Sequence, residues 1–278
     1  MKLAPIFSAG RALIGALLIA GCGADFGDSN SKGDSYDSSV EQADQARKAG
    51  NFDSAIPLYG RALQMKPDGI EAKLGLGQSF LSVGAPDEAA ALFRDVLVQR
   101  NSNQAARRGL ASALISMGQP DLAERQLEAA LQADGRDYRS LNALGVVLDM
   151  QGRHADAQAK YRQGIEVAPD NLPLRNNFAL SLAISGNPQE AIAQLVPIAN
   201  SRAADGRVRQ NLAFSYAMAG DLENALQVSR KDLDEQSAQR QLSYFMQLKA
   251  LPPEARSAEL RRNPSFFPQS GSGGGSGS

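Results

Sequence analysis

The chain of 278 residues has no tryptophan, one cysteine and one histidine. The single cysteine, Cys22, has no partner for a disulfide within the chain. The single histidine, His154, has no second histidine and no later cysteine to complete a zinc ligand set. Asp156 follows it by two positions, but Glu88 and Glu190 hold the same place elsewhere with no histidine beside them. An acid there is read as favouring the first turn of a helix, and His154 as a solvated loop residue. Nucleophile elbows, phosphate loops and zinc-ligand spacings are absent. Gly75-Leu76-Gly77 begins like a dinucleotide fingerprint, yet Phe80 stands where a third glycine is needed. No catalytic residue, metal ligand or cofactor is therefore assigned. Lys and Arg number 29 against 30 Asp and Glu and are scattered, so nothing neutralises a phosphate backbone, which argues against nucleic acid. The apolar run Ala12 to Ala20 is too short to span a bilayer.

What the sequence does have is a period. Gly50, Gly84, Gly118, Gly152, Gly186 and Gly220 recur every 34 residues, each followed five positions later by Ala55, Ala89, Ala123, Ala157, Ala191 or Ala225. A strict period of this length marks a solenoid built from one supersecondary unit. A helix-turn-helix explains it: glycine takes the positive φ of the turn, and the alanine lets the two helix axes approach. Pro86, Pro120 and Pro188 fall in the first turn of the second helix, where a missing N–H is harmless. Leu76, Leu110, Leu144, Phe178 and Leu212 precede the glycines by eight, each followed by a small residue. Tyr59, Phe93, Leu127, Tyr161 and Leu195 follow the glycines by nine. These marks resemble the tetratricopeptide repeat, without its consensus tryptophan.

The expected fold class is all-α: six units over 36–69, 70–103, 104–137, 138–171, 172–205 and 206–239. The outer units are degenerate, as capping repeats are. Gln42 and Ala43 replace the Leu-Gly pair in the first, and Ser229 and Asp232 stand at mostly apolar or small positions in the last. Pro197 is expected to break or kink the second helix of the fifth unit, and Pro57 raises the same expectation more weakly in the first. An amphipathic stretch with Leu242, Phe245, Met246 and Leu248 predicts a capping helix over 240–251. A disordered tail is expected over 252–278, with Gly271 to Ser278 either native or an appended linker.

The N-terminal end reads as a secretory signal over 1–21, with Lys2 and Arg11 before the apolar run. Leu18-Ile19-Ala20-Gly21-Cys22 resembles the bacterial lipobox, which implies acylation of Cys22 after cleavage of the signal. Two or three acyl chains, at about 0.8 kcal/mol per buried methylene, anchor almost permanently. Gly23 in place of an aspartate points to the outer membrane, facing the periplasm. Residues 22–35 would form a flexible tether of about 20 Å average span.

Function is expected in the concave groove, which in the tetratricopeptide family is lined by the first helix of each repeat. Helical spacing puts positions two, five, six, nine, twelve and thirteen of each unit there. They include Arg108, Ser112, Arg139, Asn142, Asn176, Asn177, Gln210, Asn211, Phe214 and Met218. The amides either hold an extended peptide's backbone or tie neighbouring helices together. Pro173 fills one groove position, so a clamp for a partner's C-terminal carboxylate is incomplete. Asn176 to Leu182, Gly186-Asn187-Pro188-Gln189-Glu190-Ala191, Val208 to Ala213 and Lys231-Asp232-Leu233, together with the lipobox, resemble the tight-adherence (Flp) pilus assembly lipoproteins of the TadD type. That resemblance covers about residues 18–250. It implies a non-enzymatic, pilotin-like scaffold that holds a secretin or its periplasmic partners. The alternatives are a general envelope-biogenesis scaffold for cell-wall or polysaccharide machinery and, weakest, an enzyme.

Overall fold

A computed structural model describes residues 35–202 and 204–263. The signal-like segment, Cys22 and all of the tether except Ser35 lie outside the described residues. The described residues form fourteen helices and no strand. Twelve pair into six hairpins: α1 (Tyr36–Lys48) with α2 (Phe52–Met65), α3 (Ile70–Ser82) with α4 (Pro86–Gln99), α5 (Gln104–Ser116) with α6 (Pro120–Ala133), α7 (Tyr138–Met150) with α8 (His154–Val167), α9 (Leu172–Ile184) with α10 (Pro188–Ala199), and α11 (Gly206–Ala219) with α12 (Leu222–Ser229). α13 (Glu235–Ala250) and α14 (Pro253–Arg262) follow.

The turns form as the period predicts. Among the described residues, the glycines with positive φ are Gly50, Gly84, Gly118, Gly152, Gly186 and Gly220, and no other residue type has positive φ. Each turn closes with the same pair of bonds. In the second hairpin Ala85 N–H donates to the Phe80 carbonyl at 2.8 Å and Gly84 N–H to that of Leu81 at 3.2 Å. This doubly bonded ending satisfies carbonyls that a helix C-terminus otherwise leaves open. Pro86, Pro120 and Pro188 open their helices. A second regularity, not read in the sequence, sits at the other turn. Ser35, Asn103, Asp137, Asn171 and Asp205 cap the first helices at multiples of the period, each accepting from a first-turn N–H.

Packing follows the same repeat. All six turn alanines are fully buried. Where the side chain nine positions after the turn is aromatic, as with Tyr59, Phe93 and Tyr161, it wedges against glycine on a first helix. A methyl added at Gly77 would meet Phe93 at 2.8 Å, and one at Gly109 would meet it at 2.5 Å. One apolar core runs from Ile70 in α3 to Leu260 in α14, and a smaller cluster around Tyr59 joins α1, α2 and α3. The backbones of first helices in adjacent hairpins come within 8 Å of one another, whereas those of second helices in adjacent hairpins do not. The layer whose members approach most closely is the inner layer of a curved stack, so the first helices line its concave face.

Three expectations are corrected. Neither helix is broken at its proline: α2 is continuous through Pro57 and α10 runs through Pro197, but α10 ends at Ala199, earlier in the period than α4 at Gln99, α6 at Ala133 and α8 at Val167. Each proline removes one intrahelical bond. The helix after the repeats begins at Glu235, not 240, because Asp234 caps it by accepting from Ser237 N–H at 2.8 Å; α12 is correspondingly short. The segment expected to be disordered from 252 is helical over Pro253–Arg262. Pro253 sits at its first turn, where proline is favoured, and Arg256, Ser257 and Leu260 are buried against the array.

Candidate protein-binding groove

Equivalent positions on the concave face change character along the stack. At the ninth position, Gln78 is exposed and Ser112 half-buried, while Val146, Leu180 and Phe214 are buried. At the thirteenth, Ser82 and Ser116 are exposed, Met150 is half-buried, and Ile184 and Met218 are buried. The cover over the later repeats comes from the two last helices. α13 lies on α11 and α12, and α14 on α7 and α9. Phe245 of α13 meets Phe214 edge to face, with ring centroids 5.4 Å apart. Of the residues expected in the groove, Phe214 therefore lies beneath α13 rather than on an open face, and Met218 is buried as well.

The amides are engaged with each other. Asn177 donates to Asn142 at 3.0 Å and Asn211 to Asn176 at 3.0 Å, each from the sixth position of one repeat to the fifth of the repeat before. The ladder stops at α11, where α13 leaves the repeat register. There Asn211 Oδ1 is buried without a hydrogen-bond partner. Gln210 is half-buried. In the third and fourth repeats Arg108 is bonded to Asp137, the cap of α7, which also accepts from Ser140 Oγ at 2.7 Å. Arg139 is exposed, its guanidinium 4.9 Å from the Tyr138 ring centroid. Arg108, Ser112 and Arg139 thus face the open part of the groove, together with Gln78 and Ser82 of α3.

His154 is not a solvated loop residue. It is the first residue of α8, and its side chain is only 11% exposed. Nδ1 lies 2.7 Å from Asp149 Oδ1 and Nε2 lies 2.7 Å from Ser257 Oγ of α14. Its carboxylate partner is therefore Asp149, five residues earlier, and not Asp156, which pairs with Arg153. Asp149 also accepts from Ser181 Oγ at 2.7 Å and from Tyr161 Oη at 3.0 Å. Burial pushes the Asp149 carboxyl above its ordinary value against these three donors, and burial raises the Tyr161 phenol. Carboxylate, imidazole and hydroxyl stand in the order that activates a nucleophile in other folds. Here Ser257 is 1% exposed and donates to the Pro253 carbonyl at 2.8 Å, so a substrate reaches it only if α14 lifts. Nothing in the sequence signals a five-residue pairing closed by a serine 103 positions away.

Arg256 makes the other joint of α14. Its guanidinium donates to the carbonyls of Ile184 at 3.0 Å, Leu248 at 3.1 Å, Leu251 at 3.1 Å and, more loosely, Lys249 at 3.4 Å. It thereby caps the C-terminal ends of α9 and α13 with a cation. Among the described residues, no group of three His, Cys, Asp or Glu could hold a metal ion, and no helix is long and apolar enough to cross a membrane.

Comparison with known proteins agrees with this architecture. Two family models, both described as tetratricopeptide repeat, match residues 40–106 and 80–144. An uncharacterized protein, y4yS of Sinorhizobium fredii, is 42% identical over 64 residues, which are 23% of this chain and 35% of that protein. The TPR repeat-containing thioredoxin TTL4 of Arabidopsis thaliana is 32% identical over 93 residues, 34% of this chain and 14% of that protein. The matched part thus spans about a third or less of either relative. Among solved structures, a thermophilic TPR protein of Thermus thermophilus is 20% identical, with a TM-score of 0.60, over 65% of this chain and 98% of that one. At that identity the likeness concerns the fold alone. The chain folds as a tetratricopeptide-repeat solenoid, an architecture whose general use is to hold protein partners.

Proposed function

We propose that the protein is a non-catalytic scaffold, lipid-anchored through Cys22 at the outer membrane and facing the periplasm. In this reading it assists assembly of a tight-adherence (Flp) pilus secretion system by holding a secretin or a periplasmic partner. The observation that carries the proposal is the order of parts in the chain. A lipobox-like cysteine ends a short apolar run, a polar tether follows, and a repeat array comes next whose concave face is open over its first three repeats and at the start of the fourth, where Arg139 is exposed. An anchor of that kind places such a groove next to the membrane in which a secretin assembles. The groove residues suited to a partner are Arg108, Ser112 and Arg139. The pilus assignment itself rests on the sequence resemblance across the second half of the array.

The test is a crosslinked pull-down from native membranes with the wild type, Cys22→Ser and Arg139→Glu. A secretin recovered with the wild type, and reduced in both variants, supports the proposal and assigns the contact to the open groove. Recovery of cell-wall or polysaccharide enzymes without any secretin overturns the pilus assignment.

A further inference from the structure

The fourth repeat departs from its siblings at two places, and the two departures touch. Where it has His154, the others have Phe52, Pro86, Pro120, Pro188 and Leu222. Where it has Asp149, its neighbours have Leu81, Ile115, Ala183 and Ala217. A buried carboxylate and a lost helix-starting proline are unfavourable on their own. Together they make a polar socket at the turn between α7 and α8. Tyr161 and Ser181 hold Asp149, Asp149 holds the ring of His154, and Nε2 is left pointing out of the array. What it meets is not part of any repeat. It meets Ser257 of α14, a ten-residue helix joined to the rest of the chain by Leu251-Pro252-Pro253.

The face that α14 turns to the array is short and specific. Arg256, Ser257 and Leu260 stand at i, i+1 and i+4, on one side of the helix, and all three are buried. The arginine takes the end of α9 through the Ile184 carbonyl, the serine takes the socket, and Leu260 joins the continuous core. A helix laid by an apolar and polar stripe into a groove is a standard mode of peptide recognition.

We infer that α14 is a resident ligand of the groove: the concave face of the fourth and fifth repeats is a helix-binding seat, selected by the Asp149–His154 socket, and a partner helix with arginine, serine and leucine at i, i+1 and i+4 competes with α14 for it. This rests on the reading of the concave face as a protein-binding surface, and it adds both the kind of partner and a built-in competitor. An intramolecular competitor acts at high effective concentration, so a partner engages only when it binds well or when α14 is released.

The test uses the full chain with Arg256→Glu and Leu260→Asp, which release α14, and a labelled synthetic peptide of residues 252–263 as the probe. The expected result is peptide binding at least about tenfold tighter to the released chain than to the wild type, and its loss when His154→Pro restores the sibling residue. Equal binding by both chains, binding indifferent to His154→Pro, or no binding up to millimolar peptide overturns the inference. Should the double variant lose its helical circular dichroism, Ser257→Ala in the full chain replaces it. Hydrogen exchange across α14 is then expected to be several-fold faster or more, and an unchanged rate overturns the inference. No secretin enters the assay, so its failure leaves the pilus proposal standing, and a failed pull-down leaves this one standing.

Discussion

The two halves of the array share one hairpin but use its inner face differently. In the first half, at the second and third repeats, that face carries Gln78, Ser82, Ser112 and Ser116 and stays open. In the last three it carries Val146, Leu180, Ile184, Phe214 and Met218, ties its helices with asparagine pairs, and is roofed by α13 and α14. The backbone rule is the same in both halves: the same positive-φ glycine, the same buried alanine, the same doubly bonded turn. Function in such a repeat is therefore set by a few inner positions, which can change without disturbing the hairpin.

The comparison can be broken most severely at the roof. Phe245→Ala removes a buried ring from Phe214 and is expected to cost about 3–5 kcal/mol, whereas Ser112→Ala in the open half stays within about 0.5 kcal/mol. Urea denaturation of both variants checks this; equal losses would mean that the two faces are packed alike. Next come the features both halves share. Gly84→Ala and Gly152→Ala each force a Cβ into the left-handed region and are expected to cost about 1–2 kcal/mol, equally in either half. A smaller effect sharpens the contrast again: a double-mutant cycle on Asn176 and Asn211 is expected to return a coupling of about 0.5–1.5 kcal/mol. No such coupling is expected between Leu74 and Gly109, which hold the corresponding places earlier in the array. A last difference shows only in alkali. Burial pushes the Tyr59 phenol up to about 12, next to Asp44, and raises Tyr161 next to Asp149. The folded chain favours the neutral phenol, so this contribution is complete below pH 10 and falls as the pH rises toward 12. Tyr59→Phe is expected to flatten the alkaline fall in melting temperature for its part of the array, and an unchanged profile would count against the assignment.

Much of this fold is legible in the sequence because its rule is local and repeated. A glycine that must take positive φ, an alanine at a helix crossing and a proline at a first turn each act within one hairpin, and six copies make the rule visible. The groove was legible only as a set of positions. Helical spacing brings Asn142, Asn176, Asn177 and Asn211 to the inner layer, but it cannot say that they bond each other. Phe214 reads as a groove residue until α13 covers it. The socket escaped entirely, since Asp149, His154 and Ser257 come from three helices and meet only after the chain has turned back on itself. The helix from Pro253 was hidden by its own prolines, which signal a break in the chain and also open a helix well.

The division of the concave face is tested most directly by chemical labelling at equivalent positions. In the full chain carrying Cys22→Ser, which removes the only native thiol, cysteines are placed one at a time at Gln78, Ser112, Val146 and Leu180, and their alkylation rates are measured. The rate is expected to be highest at 78, intermediate at 112, and at least about tenfold lower at 146 and 180, because thiol reactivity follows access. Equal rates at all four positions would contradict a groove that is open in one half and occupied in the other.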